Sequence, residues 1–113
     1  MVLNALLNNA GKYSARSANP ISVYGEEGRA GQYFYIVVEN YGFKIHQDER
    51  DKVFRDRYRG REVRGQKLGG TGIGLYLSRE IMKNQNGDVV LTSCDNPVTF
   101  KIKLPRSGAD QRR

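Results

Sequence analysis

The sequence predicts a single domain of the α+β class, a two-layer sandwich in which helices cover one face of a mixed β-sheet. Three observations lead to this prediction. The chain has 113 residues, which suits one domain with a hydrophobic core of its own. Two pairs of neighbouring segments have the apolar pattern of β-hairpins. Segments with helical periodicity separate these pairs, in the order helix, two strands, short helix, long loop, helix and two strands.

The first half of the chain contains a helix, a hairpin and a short helix. Residues 2–13 are predicted as a helix because apolar residues recur at helical spacing, at Val2, Leu3, Leu6, Leu7 and Ala10. Residues 21–24 alternate like a strand, and the aromatic and β-branched run 33–38 is typical of a buried one. These two segments are predicted to pair as a hairpin. Residues 48–56 form a predicted short helix in which Phe54 faces the core.

The second half begins with a long loop and ends with a helix and a second hairpin. Residues 57–71 contain four glycines and almost no apolar periodicity, which predicts a loop. Residues 73–86 carry a wide apolar stripe, and they are predicted as a helix that an Asn-Gly pair closes. Residues 89–91 and 98–104 are predicted as the strands of the second hairpin.

Composition excludes several classes of protein. No apolar run approaches the ~18 residues that a membrane span needs, so a soluble, cytoplasmic domain is expected. The single cysteine, Cys94, permits no internal disulfide and is typical of a reducing compartment. One cysteine and one histidine are too few for a structural zinc site. We expect the domain to occupy residues 1–105 and a flexible tail to occupy residues 106–113.

Positive charge is concentrated in residues 52–67. The chain carries a net charge of +7, and this segment has seven basic residues against two acidic ones, a local +5. Such a cluster attracts a polyanion or the phosphates of a nucleotide, although a solvated arginine-rich loop has the same composition. Nucleic acid is not a predicted partner, because the aromatic residues lie in predicted strands and motifs that are already accounted for and do not form a stacking platform along the basic run.

Two motifs contain residue types suited to binding phosphate and metal. The glycine-rich run 69–74 opens the predicted helix over residues 73–86, where backbone N–H groups and the helix dipole favour an anion. A flexible hinge is the alternative. It lacks the context of a Rossmann site and the Gly-Lys-Ser/Thr of a Walker A loop. On the first helix, Asn9, Lys12 and Tyr13 share a face. They could ligate Mg²⁺, neutralise phosphate and stack on a base, but an ordinary polar helix face has the same pattern.

Four segments follow one another in a specific order: residues 2–14, 40–45 (Asn-Tyr-Gly-Phe-Lys-Ile), 53–60 (Val-Phe-Arg-Asp-Arg-Tyr-Arg-Gly) and 70–77 (Gly-Thr-Gly-Ile-Gly-Leu-Tyr-Leu). They resemble the asparagine box, the Asp-x-Gly-x-Gly-Ile box, the phenylalanine box and the second glycine box of the histidine kinase ATP-binding domain, of the Bergerat (GHKL) superfamily. Residues 100–105 resemble the closing strand of that domain. The likeness covers nearly the whole chain, and four boxes in the right order make it highly specific.

The resemblance implies the Bergerat ATP-binding fold, with ATP and Mg²⁺ held between helices and sheet beneath a mobile lid. By position, Asn9 would ligate Mg²⁺, Lys12 would contact phosphate and Tyr13 would flank the adenine. The basic loop would be the lid, and Phe54 would anchor its near end. No side chain is assigned as catalytic. The residues that the resemblance implies for nucleotide binding are Asn9, Lys12, Tyr13, Asn40, Gly42, Lys44, Ile45, Gly70, Thr71, Gly72, Ile73, Gly74 and Leu75.

The sequence departs from the family pattern at four positions. Asn40 replaces the aspartate that accepts a hydrogen bond from the adenine amino group, and a neutral amide is the weaker acceptor. Lys44 replaces a glycine, and Arg57 stands where the family usually has an aromatic residue. Ala5 replaces a polar residue one turn before Asn9. Because the hydrolytic relatives have a glutamate there, efficient ATP hydrolysis is not expected of this chain.

The resemblance implies the ATP-binding catalytic domain of a two-component sensor histidine kinase, cytoplasmic alone or as part of a larger sensor. Its partners would be ATP, a phosphoacceptor histidine domain and, indirectly, a response regulator; a homodimer is left open. The only histidine, His46, is predicted as a surface residue in a loop, so the acceptor histidine must lie on another domain. The usual N-terminal strand pair has no counterpart, so we expect an N-terminally truncated domain.

An alternative function belongs to a different class. Asn40 and Lys44 both favour a degenerate module of the same superfamily, with weak or no ATP binding, that acts as an interaction scaffold.

Overall fold

The computed structural model describes residues 2–3, 5–7, 21–41, 44–55, 74–95 and 97–106. Within them, four strands form one sheet, and helical residues pack on one of its faces. The predicted two-layer α+β class is confirmed. Residues 2–3 and 5–7 are helical and are called α1 here. No helix in this described part of the chain is long and apolar enough to cross a membrane.

The other elements are β1 (Ser22–Glu27), β2 (Tyr33–Asn40), α2 (Gly74–Lys83), β3 (Asp88–Cys94) and β4 (Val98–Pro105). Both predicted hairpins are confirmed. The predicted helix over 48–56 is wrong, because two separate 3-10 turns, Gln47–Glu49 and Lys52–Phe54, occupy this segment. Arg50 lies between the turns, and its guanidinium donates a hydrogen bond of 2.6 Å to the backbone oxygen of Leu91 on β3. This contact holds the chain against the sheet where a regular helix would turn away.

The strand order is β1-β2-β4-β3, and every neighbouring pair is antiparallel. The prediction of a mixed sheet is therefore wrong for the described strands. β2 and β3 do run parallel to each other, but β4 lies between them and pairs with both. Val38 of β2 lies opposite Phe100 of β4, and Phe100 lies opposite Leu91 of β3. Two hairpins that are distant in the sequence thus share one central strand.

The hydrophobic core lies between the sheet and the helices. Alternate residues of β2, β3 and β4 point toward the helices, and these positions are mostly apolar, with Asn40 at the end of β2 as a polar exception. The buried residues of this core are Val2, Leu6, Val38, Val53, Phe54, Met82, Val89, Leu91, Cys94, Val98, Phe100 and Ile102. The Phe54 and Phe100 rings meet edge to face, with 5.9 Å between their centroids. The 3-10 turn Lys52–Phe54, which begins the basic cluster of residues 52–67, is therefore part of the core.

The opposite face of the sheet carries amphipathic side chains. The Lys101 ammonium lies 2.7 Å from the Glu26 carboxylate and 5.6 Å from the centre of the Tyr35 ring. The Lys103 ammonium lies 4.1 Å above the Tyr33 ring. The long stems of these side chains cover the strands beneath them, and Val37 is fully buried although it points to this face.

α2 ends in a Schellman motif. Asn86 adopts a left-handed conformation with φ of 66°, and its N–H donates to the Lys83 oxygen. The Gly87 N–H donates to the Met82 oxygen at 2.8 Å. These are the two hydrogen bonds that define the motif, so the predicted Asn-Gly closure is confirmed. A Cβ at Gly87 would meet the backbone oxygen of Lys103, because the chain turns directly into β3 beside β4.

Gly87→Ala is expected to lower the free energy of unfolding by about 1–3 kcal/mol, because the added methyl group would force the turn away from β4. Urea unfolding measures the change. Gly74→Ala is the matched control, since a Cβ at Gly74 would meet nothing within 4 Å. The control is expected to keep or slightly raise stability, as alanine favours a helix. Equal stability of the two variants would contradict the close approach at Gly87.

Candidate functional site

The structure describes five of the thirteen predicted nucleotide-binding residues: Asn40, Lys44, Ile45, Gly74 and Leu75. The other eight lie outside the described residues, and their roles remain predictions: Asn9, Lys12, Tyr13, Gly42, Gly70, Thr71, Gly72 and Ile73.

Asn40 ends β2 on the face of the sheet that packs against the helices. It lies on the same side of the strand as Val38, and its cross-strand partner on β4 is the buried Val98. Only 4% of Asn40 is exposed. No hydrogen bond joins its carboxamide to any residue in the described ranges. A buried amide without a partner costs about 1–3 kcal/mol, so this group is suited to hydrogen-bonding a ligand.

Ile45, which follows β2 in the sequence, lies beside the end of β3. The Ile45 N–H donates to the Cys94 oxygen at 2.8 Å, and the Ile45 side chain packs against the core. Lys44 is exposed, and its ammonium forms no ion pair with the part of the chain described here. His46, predicted as a surface residue, is half-buried, and its backbone N–H donates to the fully buried Glu49 carboxylate at 3.3 Å.

The predicted second glycine box reaches the described residues at the start of α2. Gly74 is the first residue of this helix and is exposed, whereas Leu75 packs against the core. Ile45 and Leu75 pack against one cluster, which also contains Val38 and Val98, the neighbours of Asn40. The structure therefore brings the apolar predicted residues and Asn40 into one layer, and it leaves the Lys44 side chain in solvent.

The sequence prediction missed Arg79 on α2, which pairs with Asp88 toward the end of the sheet opposite to Asn40. Its guanidinium carbon lies 4.1 Å from the centre of the Phe54 ring. Its Nε donates to Asp88 Oδ1 at 2.9 Å, and the same oxygen accepts the Val89 N–H at 2.8 Å. Arg79 thus connects the 3-10 turn Lys52–Phe54 with Asp88, the first residue of β3. A cation on the core-facing stripe of the helix, one turn after Leu75, was the signal that could have identified it.

The contact with Arg79 controls the ionisation of Asp88. Burial opposes the charged carboxylate and raises its pKa, but the hydrogen bonds from Arg79 and the Val89 N–H outweigh burial. The pKa of Asp88 is therefore below its ordinary value. The ion pair is three-quarters shielded from solvent on both sides, which makes it stronger than an exposed pair.

The same contact joins the elements on the two sides of residues 56–73, the segment that contains most of the basic cluster and the glycine-rich run. Phe54 precedes the segment, and α2, which carries Arg79, follows it. A guanidinium stacked on an aromatic ring contributes about 0.5–2 kcal/mol. Whatever conformation residues 56–73 adopt, their two anchor points are held against each other by this contact.

Comparison with known proteins identifies the class of this domain. The family described as "Histidine kinase-, DNA gyrase B-, and HSP90-like ATPase" matches residues 1–108. The chain belongs to this family, and it is an ATP-binding domain of the histidine kinase type. The predicted resemblance is confirmed.

Individual relatives support this assignment. The chain is 38% identical over 93 residues to the aerobic respiration control sensor protein ArcB of Escherichia coli (strain K12), covering 81% of this chain and 12% of ArcB. It is 35% identical over 108 residues to the sensor histidine kinase WalK of Bacillus subtilis (strain 168), covering 92% of this chain and 17% of WalK. The chain therefore spans only a small part of these relatives.

Solved structures show the same fold. The mycobacterial sensor histidine kinase MprB aligns with a TM-score of 0.79 at 21% identity, covering 92% of this chain and 69% of that one. The catalytic domain of histidine kinase ThkA aligns with a TM-score of 0.69 at 26% identity, covering 92% of this chain and 63% of that one.

Arg79→Met is expected to lower the free energy of unfolding at pH 7 by about 1–2 kcal/mol, because the cation–π contact is lost and Asp88 keeps an unpaired, partly buried charge. Urea unfolding measures this change. Lys101→Met is the matched control, since it also removes an ion pair and an aromatic contact, but on the opposite face of the sheet. The control is expected to cost less than about 1 kcal/mol. Similar losses in both variants would contradict a special role for Arg79.

Asp88→Asn is expected to flatten the acid side of the stability profile. The pKa of Asp88 is lowered in the folded state, so its contribution is complete above about 4, the unfolded value, and is lost as pH falls through the folded value. The wild type should thus be more stable than the variant at pH 7, and the two should converge at low pH. Urea unfolding from pH 7 to pH 2 tests this. Asp95→Asn, at an exposed position after β3, is the control. Parallel profiles for wild type and Asp88→Asn would refute the assignment.

Proposed function

We propose that this chain binds Mg-ATP as the catalytic domain of a two-component sensor histidine kinase and delivers the γ-phosphoryl group to a histidine on another domain. The observation that carries this proposal is the carboxamide of Asn40 at the end of β2, which is buried and has no hydrogen-bond partner among the described residues. The family pattern has the residue that reads the adenine base at this position. The family assignment supports nucleotide binding independently.

In this proposal, the base lies in the layer between the sheet and the helices. The Asn40 side-chain oxygen accepts a hydrogen bond from the adenine amino group. Ile45 and Leu75, which both pack against the core, contribute apolar surface for the ring. Tyr13 flanks the adenine from the first helix. Lys44 brings a cation to the rim of the site, where an exposed ammonium can meet an anionic ligand.

The phosphates and the metal are assigned to residues of the asparagine and glycine boxes. Lys12 neutralises phosphate charge, and the box formed by Gly70, Gly72 and Gly74 offers backbone N–H groups. Asn9 supplies an amide oxygen to Mg²⁺, which usually takes one or two protein ligands and completes its shell with phosphate oxygens and water. Such a donor set fits a hard cation. The described ranges contain no cluster of three His, Cys, Asp or Glu side chains that could hold a metal.

Phosphoryl transfer requires mainly positioning and charge neutralisation, so no side chain of this chain acts as a nucleophile. The basic cluster of residues 52–67 adds positive charge for the phosphates. In this proposal the acceptor histidine lies on another domain, and His46 is not assigned that role. The acceptor histidine and the response regulator are proposed from the relatives, which are named as sensor kinases.

The alternative is a scaffold with weak or no ATP binding. Two observations favour it: residue 40 is a neutral amide, and a long lysine replaces glycine at position 44. Titration of an ATP analogue with and without Mg²⁺, by calorimetry or thermal shift, separates the two functions. Saturable, Mg²⁺-dependent binding supports the kinase domain, and a flat response supports the scaffold.

Asn9→Ala is expected to remove the Mg²⁺ dependence of nucleotide binding, because the oxygen ligand of the metal is lost. The measurement is calorimetric titration with the ATP analogue at zero and saturating Mg²⁺. Asn8→Ala is the matched control, since adjacent residues of the predicted helix point about 100° apart. The control should keep the wild-type response to Mg²⁺. If Asn9→Ala also keeps it, the metal is bound elsewhere.

A further inference from the structure

The carboxamide of Asn40 differs from a carboxylate in its hydrogen-bonding capacity. A carboxylate only accepts, whereas an amide offers an NH₂ donor and an oxygen acceptor on one planar group. We infer that this site binds purine nucleotides with either an amino or a keto group at C6, so that base discrimination is relaxed. The inference rests on the proposed function, in which Asn40 faces C6 of the base.

The two bases present opposite patterns at this edge. Adenine has a donor at C6 and an acceptor at N1, whereas hypoxanthine has an acceptor at C6 and an N–H donor at N1. An amide can match both patterns, because a half-turn of the group exchanges its oxygen and its nitrogen. A carboxylate matches the adenine amino group but opposes the keto oxygen with a second acceptor. Sites whose buried polar groups lose their partner reject the wrong ligand strongly.

The surroundings of Asn40 permit both orientations of the amide. No described residue hydrogen-bonds the carboxamide, and the adjacent positions on the same face, Val38 and Val98, are apolar. Neither orientation is therefore favoured by this part of the protein. The fully buried Glu49 shows the contrast, because its carboxylate is fixed by the His46 N–H. The ligand determines which way the Asn40 amide points.

Neutrality of residue 40 also affects the ligand-free domain. With 4% exposure, an ionised carboxylate at this position would be costly to bury without a described partner. An amide is less costly to bury in the same place. Asn40 is thus less costly to bury in the ligand-free domain than a carboxylate, and for the same reason it lacks the charge that would select adenine.

The experiment titrates ADP and IDP, which differ at the C6 and N1 edge of the base, into the whole chain with Mg²⁺ by calorimetry. For the wild type, the two affinities are expected to agree within about threefold, since one pair of neutral hydrogen bonds replaces another. For Asn40→Asp, ADP is expected to bind about fivefold tighter, because the hydrogen bond becomes charge-assisted. IDP is expected to bind at least about tenfold weaker to this variant, because two acceptors face each other.

Two further variants keep the test decisive if Asn40→Asp fails to fold. Asn40→Ala should weaken ADP and IDP by similar factors, because both lose the same amide. Thr99→Val is the control, since Thr99 is also buried but points to the opposite face of the sheet beside the end of β2. It should leave the ratio of the two affinities unchanged.

The outcomes separate this inference from the proposed function. Binding of neither nucleotide to the wild type overturns nucleotide binding altogether, and with it this inference. Tight binding of ADP with IDP more than about tenfold weaker keeps the proposed function and overturns relaxed discrimination. Two results together would show that another residue reads C6. Asn40→Ala would weaken the affinities for ADP and IDP by unequal factors, and Asn40→Asp would leave the preference for adenine unchanged.

Discussion

The pairing of β4 with both β2 and β3 is the interaction on which the rest of the structure depends. Residues 98–105 hydrogen-bond to a strand on each side, and thereby unite two hairpins that lie far apart in the sequence. This pairing aligns the end of β2 with the start of β4, where Asn40 lies opposite Val98. It also places Phe100 at the centre of the helix-facing surface. The candidate site lies at this end of the sheet because the register fixes it there.

A chain of contacts connects the central strand to the anchor points of the basic segment. Phe100 meets the Phe54 ring, Phe54 supports the Arg79 guanidinium, and Arg79 pairs with Asp88 at the start of β3. Each contact joins a different element: strand, 3-10 turn, helix and strand. Since β3 pairs again with β4, the chain of contacts closes on the strand from which it began. The elements on both sides of residues 56–73 in the sequence, the turn with Phe54 and the helix α2, are thus attached to the hydrophobic core.

Local sequence patterns predicted the local structure, but they did not predict the pairing of strands that are distant in the sequence. The two hairpins and the closure of α2 follow from alternation, turn residues and an Asn-Gly pair, all of which act within a few residues. The insertion of β4 between β2 and β3 depends on contacts across the chain, so the sheet was predicted as mixed, whereas each of the four described strands is antiparallel to its neighbours. The short helix over 48–56 failed for the same reason, because Arg50 is held by a backbone oxygen of β3.

The site was predicted in the same uneven way. The order of the boxes predicted Asn40, Ile45 and Leu75 as site residues, and the structure places them in or against the buried layer. Their role in nucleotide binding stays a prediction. The burial of Asn40 could not be read from the sequence, since it depends on β4 and on the helices above the sheet. Arg79 was missed because its partners, Phe54 and Asp88, lie in other elements. The role of a basic residue on the apolar face of a helix can be assigned only when its neighbours in space are known.

The exchange of a carboxylate for an amide at position 40 changes the balance of forces in the site. A charged acceptor at the base would concentrate binding free energy on adenine, at the cost of burying a charge in the empty domain. With a neutral amide there, the charges proposed for the site are Lys12, the exposed Lys44 and the basic cluster of residues 52–67. In the proposed function these cations act on phosphate, which every nucleotide carries, and their effect is screened by salt. Attraction for the ligand would therefore shift from its base to its phosphates, with weaker selectivity for the base and a greater salt dependence of binding.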